Sequence, residues 1–131
     1  MIVLDASATL EILLGSRRGI EAQGWYVSEQ SHAPEVIGYE VLSAIRGKAR
    51  GRELTADEAR AAMLDFEDVE NGLELWPLLE VQTERAIQLR DNVSSYDATY
   101  VALAEILQCP LVTADARLGR AVEDLIEVAV V

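Results

Sequence analysis

Four carboxylates occupy positions where an α/β fold could bring them together. Asp5 and Asp115 each close a short apolar run of strand-like character, whereas Asp97 opens a long apolar pattern with helical spacing. Glu40 lies inside an apolar helical stretch, at or beside the face that should be buried. Because an α/β sheet binds its ligands at the carboxyl ends of its strands, these acids can converge on one point.

Such an array of acids repels itself unless a cation lies between the charges. Ligands that offer only oxygen favour Mg²⁺ or Mn²⁺ over zinc. The only histidine and the only cysteine, His32 and Cys109, cannot build a structural zinc site. Mg²⁺ typically takes one or two carboxylates together with substrate phosphate, so the predicted chemistry is metal-assisted hydrolysis of a phosphodiester.

Helix capping is a structural alternative for three of the acids. Asp5 and Asp115 each follow a strand and precede a helix, where a carboxylate can accept backbone N–H bonds. Asp97 stands three residues after Ser94, close to a capping box with aspartate in the glutamate position. Three acids at such junctions plus one inward-facing helical acid still exceed what capping should supply.

Glu40 has a different alternative. A buried lone carboxylate is costly unless it is paired or bound to a metal. An ion pair with Arg46 or Arg117 would satisfy it without any function.

The hydrophobic periodicity predicts strands that alternate with helices. Predicted strands cover 2–4, 73–78, 111–113 and 126–130, and predicted helices cover 6–14, 16–24, 34 to 46 or 48, 55–69, 81–90, 94–107 and 117–125. Pro34 is predicted to open its helix, Thr55 and Glu58 match a capping box, and Pro77 restricts its strand to an edge or an end. This alternation predicts an α/β fold with three α/β/α layers around a central, mostly parallel sheet.

Length and composition limit the class of protein. The 131 residues suffice for one domain, 1–131, with a core that needs no disulfide, and Cys109 should be a small buried hydrophobe. No apolar run approaches the roughly 20 residues that span a bilayer, so we expect a cytoplasmic protein without a membrane segment.

A net charge of −12 argues against a nucleic-acid partner, because phosphate binding depends on lysine and arginine. The few basic residues are grouped, however, and could complement helix dipoles, form a rim that contacts phosphate, or do both. The grouped residues are Arg17, Arg18, Arg46, Lys48, Arg50 and Arg52.

Several segments resemble PIN-domain ribonucleases and, more narrowly, VapC-type toxins of bacterial toxin–antitoxin pairs. They are DASATL at Asp5, APEVIGYEVLSAI around Glu40, and SSYDATYVALAEILQCPLVTADARL, which contains Asp97 and Asp115. The resemblance extends over nearly the whole chain, although 51–93 matches only by its helical pattern. By this resemblance the four acids are catalytic and form the Mg²⁺ or Mn²⁺ site.

The resemblance also implies a reaction and partners. Ser7 and Thr113 would be accessory hydroxyls that hold carboxylates or water. The implied reaction is hydrolysis of an RNA phosphodiester by a metal-activated water. The implied partners are a structured RNA, a second copy of the chain in a homodimer, and a VapB-like antitoxin that blocks the site.

Apolar residues of the two helices within 34–69 could form the groove that holds the antitoxin, or they could simply be core. These residues are Ile37, Val41, Leu42, Ile45, Met63, Leu64 and Phe66.

Other classes fit the sequence less well. A phosphatase of the haloacid dehalogenase type would need a second aspartate where this chain has Ser7, and a receiver domain would need a late lysine where the only lysine is Lys48. A non-catalytic acidic interaction module, whose carboxylates only cap helices, is the remaining alternative.

Overall fold

Five short parallel strands form one sheet in the computed structural model, which describes residues 1–131. In chain order they are β1 (Ile2–Leu4), β2 (Ser31–Pro34), β3 (Leu73–Trp76), β4 (Leu111–Thr113) and β5 (Val128–Val130). The strands lie in the order β3-β2-β1-β4-β5. The chain therefore builds one side of the sheet, returns, and builds the other, which puts the topological switch point between β1 and β4.

Seven helices connect the strands. They are α1 (Ala6–Leu13), α2 (Arg17–Ser28), α3 (Ile37–Arg50), α4 (Ala56–Asn71), α5 (Glu80–Gln88), α6 (Ser95–Leu107) and α7 (Ala116–Val122). None of them combines the length and the apolarity that a membrane crossing requires.

The helices form two groups around the sheet. The first four pack against one another, whereas α5 packs on α6, and α6 in turn packs on β1, β2 and β4. Because the direction of travel across the sheet reverses after β3, right-handed crossovers place the two groups on opposite faces. The predicted three-layer α/β fold is confirmed, and all five strands are parallel.

The core follows from the apolar strands and from α6. Every residue of β1 is fully buried, and 98–104 in α6 is buried apart from Thr99. Strands covered on both faces need such continuous apolar sequence, which is why β1 and β4 were predictable. Cys109 is buried, as predicted.

The strand β2 was not predicted, and the prediction that Pro34 opens a helix is wrong. Its sequence, SHAP, has two polar residues and no apolar run, so its signal was weak. Pro34 is the last residue of β2 and pairs with Trp76, and the helix begins three residues later at Ile37. The strand predicted over 73–78 ends at Trp76, before Pro77, and it lies at the edge of the sheet, one of the two positions that Pro77 allowed.

Other element boundaries differ by a few residues. Helix α2 continues past Gly24 to Ser28, and α3 continues past Gly47 to Arg50, because an isolated glycine costs a helix only about 1 kcal/mol. The capping box of Thr55 and Glu58 is present at the start of α4.

Candidate active site

Asp5 lies at the carboxyl end of β1 and begins α1. Its Oδ1 accepts a hydrogen bond from the backbone N–H of Ala8 at 2.8 Å, and its side chain is buried. The hydroxyl of Thr113 donates to Oδ2 at 2.5 Å, and that of Ser7 lies 2.8 Å from Oδ1. Burial raises the pKa of Asp5, these hydrogen bonds oppose the rise, and the charge of Asp97 adds to it. Asp5 is therefore both a helix cap and a member of an acidic group.

The hydroxyls of Ser7, at the start of α1, and of Thr113, at the end of β4, form a hydrogen-bonded link between the ends of β1 and β4. Their hydroxyl oxygens lie 3.1 Å apart, and the backbone N–H of Ala114 donates to Ser7 Oγ at 2.8 Å. The backbone N–H of Asp115 donates to Thr113 Oγ1 at 3.0 Å. Both hydroxyls thus contact the carboxylate of Asp5 and fix β4 against β1.

Glu40 lies near the start of α3 and is half-buried. The hydroxyl of Tyr100, from α6, donates a hydrogen bond to its Oε2 at 2.6 Å. Burial raises the pKa of Glu40, and the nearby charges of Asp97 and Asp5 raise it further. The alternative ion pair with Arg46 or Arg117 does not form.

Asp97 and Asp115 complete the set at two helix starts. Asp97 lies in the first turn of α6, and its backbone N–H donates to Ser94 Oγ at 3.1 Å, so Ser94 rather than the carboxylate caps this helix. Asp115 caps α7 through its Oδ1, which accepts from the N–H groups of Arg117 at 2.8 Å and Leu118 at 3.1 Å.

All four predicted acids line one cleft of about 240 Å³. Ser7, Leu10, Ala44 and Tyr100 also contribute to its wall. The cleft opens where β1 and β4 end, which is the switch point of the sheet.

The carboxylates meet the donor chemistry of a hard cation but do not form a closed cage. No three acidic, histidine or cysteine side chains are grouped closely enough to hold a metal ion by themselves. Mg²⁺ does not require such a group, because it keeps several waters and is usually bound through one or two carboxylates plus substrate phosphate. Burial is the main reason that the pKa values of Asp5 and Glu40 are raised, and repulsion from neighbouring acids adds to it. A bound cation would relieve that repulsion.

Tyr100 is the residue of the cleft that the sequence did not reveal. It is 1% exposed and looks like one more apolar position of α6. The available signal was its spacing, because a residue three positions after Asp97 lies on the same side of the helix. Burial and the charge of Glu40 hold the pKa of Tyr100 well above its ordinary value, so the hydroxyl stays protonated and donates to Glu40.

Some residues of the predicted basic rim form contacts within the chain. Arg18 pairs with Glu11 and donates to the carbonyl of Ala114, and Lys48 pairs with Glu53 at 3.1 Å. Lys48 and Arg50 lie in the last turn of α3, where cations complement the helix dipole.

Known proteins resemble this chain over nearly its whole length. The family model of the PIN domain matches residues 2–124. The VapC ribonuclease Mb0985 of Mycobacterium bovis is 39% identical over 119 residues, which cover 91% of this chain and 89% of that protein. Ribonuclease VapC12 of Mycobacterium tuberculosis is 40% identical over 121 residues, with 92% and 91% covered. Among solved structures, a toxin–antitoxin complex from Klebsiella pneumoniae matches with a TM-score of 0.71 and 15% identity, over 98% of this chain and 96% of that one.

Proposed function

The chain belongs to the PIN domain family, and from that membership we propose that it is a metal-dependent endoribonuclease and the toxin of a toxin–antitoxin pair. The observation that carries the proposal is the single cleft lined by Asp5, Glu40, Asp97 and Asp115. These acids come from four distant parts of the sequence, and capping explains only two of them.

Carboxylates of this set of four acids would hold Mg²⁺ or Mn²⁺ together with water and the substrate phosphate. When bound, the metal would supply Lewis-acid chemistry, which lowers the pKa of water and offsets charge that develops on the phosphate. Ser7 and Thr113 keep the carboxylate of Asp5 in one orientation through their hydrogen bonds.

Glu40 and Asp97 are the two acids whose carboxylates accept no backbone N–H bond. One of them would orient the attacking water and accept its proton. For Glu40 the accepting atom would be Oε1, because Oε2 already receives the hydroxyl hydrogen of Tyr100.

The substrate would be a single-stranded or looped region of a structured RNA, such as a tRNA or an rRNA. The deep major groove of A-form RNA excludes side chains, whereas loops and single strands can enter a cleft.

Asp97→Asn tests the catalytic assignment with least risk to the fold, because Ser94 rather than Asp97 caps α6. We expect the variant to lose Mg²⁺-dependent cleavage of total RNA by orders of magnitude and to retain the circular dichroism spectrum of the wild type. Asp65→Asn, an exposed acid on α4, should cleave as the wild type does. Wild-type cleavage by Asp97→Asn would show that the site is wrongly assigned.

The proposed protein partner is a VapB-like antitoxin. Of the predicted groove residues, Ile37, Val41, Ile45 and Phe66 are core, so only Leu42, Met63 and Leu64 remain at the surface. A largely apolar groove of about 410 Å³ between α3 and α4 is lined by these three residues. An amphipathic antitoxin segment would dock there and cover the acidic cleft. We also propose that the free chain forms a homodimer. Analytical ultracentrifugation of the free chain would measure its oligomeric state.

A further inference from the structure

A second cavity opens beside the acidic cleft. It measures about 340 Å³ and shares Asp97 with the cleft. Its wall is formed by the segment between α5 and α6 and by residues of α6 and α7. Its polar side chains are those of two arginines, two aspartates, one asparagine and one serine: Arg90, Arg117, Asp91, Asp97, Asn92 and Ser94. Because Asp97 lines both the cleft and this cavity, an RNA strand bound at Asp97 could reach both.

The two arginines of this cavity lack strong acidic partners. Arg117 forms no ion pair and no side-chain hydrogen bond, although the chain has 23 acids and only 11 lysines and arginines. Arg90 has only Asp91 at 3.7 Å, and both side chains of that pair are exposed. Exposed pairs of this kind contribute little and are readily exchanged for a better partner.

Local hydrogen bonds place each arginine at the end of a helix. The N–H of Arg117 donates to Asp115 Oδ1 at 2.8 Å, so its side chain starts at the helix that Asp115 caps. The Arg90 guanidinium donates to the carbonyl of Ile87 at 3.1 Å, which holds it at the end of α5.

We propose that Arg90 and Arg117 form a phosphate subsite that binds the RNA backbone next to the phosphodiester that is cleaved. This proposal rests on the proposed ribonuclease function. A guanidinium can bind a phosphate through two parallel hydrogen bonds, and Asn92 and Ser94 add neutral donors. A protein with a net charge of −12 needs such a local cationic site, because its overall field repels RNA.

The test measures RNA binding separately from cleavage. A labelled short single-stranded oligoribonucleotide of mixed sequence is titrated at fixed Mg²⁺ against a Glu40→Gln background, with Arg90→Gln or Arg117→Gln added. We expect each substitution to weaken binding about tenfold. The slope of log affinity against log salt should also become shallower by about 0.7 for each phosphate contact that is lost.

Arg120→Gln is the matched control, because Arg120 is exposed on α7 and lies outside the cavity. It should change neither affinity nor salt slope. In otherwise wild-type protein, Arg117→Gln should raise KM and leave kcat nearly unchanged, and Arg117→Lys should restore the salt slope but only part of the affinity.

The outcomes of these measurements distinguish failure of the phosphate-subsite proposal from failure of the ribonuclease proposal. If the wild type cleaves RNA but Arg90→Gln and Arg117→Gln bind with unchanged affinity and slope, the subsite is wrong and the ribonuclease proposal stands. If both substitutions weaken binding but the wild type cleaves nothing, the cavity binds RNA and the catalytic proposal fails.

Discussion

At the residue scale, the acids of the cleft differ in the hydrogen bonds that their carboxylate oxygens accept. Asp5 and Asp115 accept backbone N–H bonds at helix starts, so part of their charge serves the fold. Glu40 and Asp97 have no such bond. Burial and the charges of Asp97 and Asp5 raise the pKa of Glu40, so the ionised form of Glu40 costs stability. Helix capping therefore gives no account of these two carboxylates, whereas the proposed metal site does.

The amide variant Glu40→Gln tests this cost. Because the folded-state pKa of Glu40 is raised, the wild type loses stability as the pH rises through that value. In EDTA at neutral pH, Glu40→Gln should therefore melt no lower than the wild type, and its advantage should disappear as the pH falls below the ordinary pKa of glutamate. Tyr100 can still donate to the amide oxygen.

Adding Mn²⁺ should reverse this order of thermal stability, so that the wild type melts at a higher temperature than Glu40→Gln. A ligand at a hundredfold excess over its dissociation constant stabilises the protein that binds it by about 2.7 kcal/mol, and Glu40→Gln should gain less. Glu84→Gln, an exposed acid on α5, should follow the wild type in both buffers. Equal stabilisation of all three proteins by Mn²⁺ would argue against Glu40 as a ligand.

The sequence revealed the four acids because their charge contrasts with an apolar context. It did not reveal Tyr100, because a phenol at a buried helical position has the same pattern as any core aromatic. Nor did it reveal the cavity of Arg90 and Arg117, which are 27 positions apart by their numbering and line one cavity only in the folded chain. Chemistry that arises from tertiary contact leaves no local signal.

At the element scale, the predictable elements were those whose local signals agree. Apolar strands, the capping box of Thr55 and the caps at Asp5 and Asp115 all marked boundaries that the structure has. Strand β2 failed this test because Ser31 and His32 are polar and buried, and their place in the sheet is set by pairing with β1 and β3. Tertiary pairing decided what local sequence could not.

Substitutions at two glycines of α2 distinguish the effect of helix packing on stability from the effect of helix propensity. A Cβ at Gly19 would lie 2.0 Å from the carbonyl oxygen of Glu11, on the backbone of α1, whereas a Cβ at Gly24 would meet nothing within 4 Å. We expect Gly19→Ala to cost about 1–3 kcal/mol and Gly24→Ala to stabilise by about 0.5–1 kcal/mol, measured by urea unfolding. If Gly19→Ala were as stable as Gly24→Ala, the close contact of the two helices would be wrong.

At the scale of the whole molecule, the proposed antitoxin would suppress the proposed toxin activity by forming a complex with this chain. Leu64 is 62% exposed in the apolar groove between α3 and α4, and Ile20 is 68% exposed on α2, outside that groove. We expect co-expression with the proposed antitoxin to restore growth and to give an inactive stoichiometric complex. Leu64→Glu should weaken this complex, and Ile20→Glu should not.

The decisive measurement is cleavage by the purified complex. If it cut RNA as fast as the free chain, the antitoxin would not act by blocking the cleft. If Leu64→Glu and Ile20→Glu bound the antitoxin equally well, the groove would not be its docking site.

The order of the strands also sets the moment at which the cleft can first exist. The hydroxyl that holds Asp5 belongs to Thr113, which is 108 positions later, and β4 must reach β1 before the two sides of the cleft meet. Ribosomes add about 5–20 residues per second, so Asp5 spends several seconds or more without that partner during synthesis. During that interval the growing chain carries Asp5 and Glu40 before the acidic cleft has formed, so the polypeptide exists before the site that we propose for cleavage.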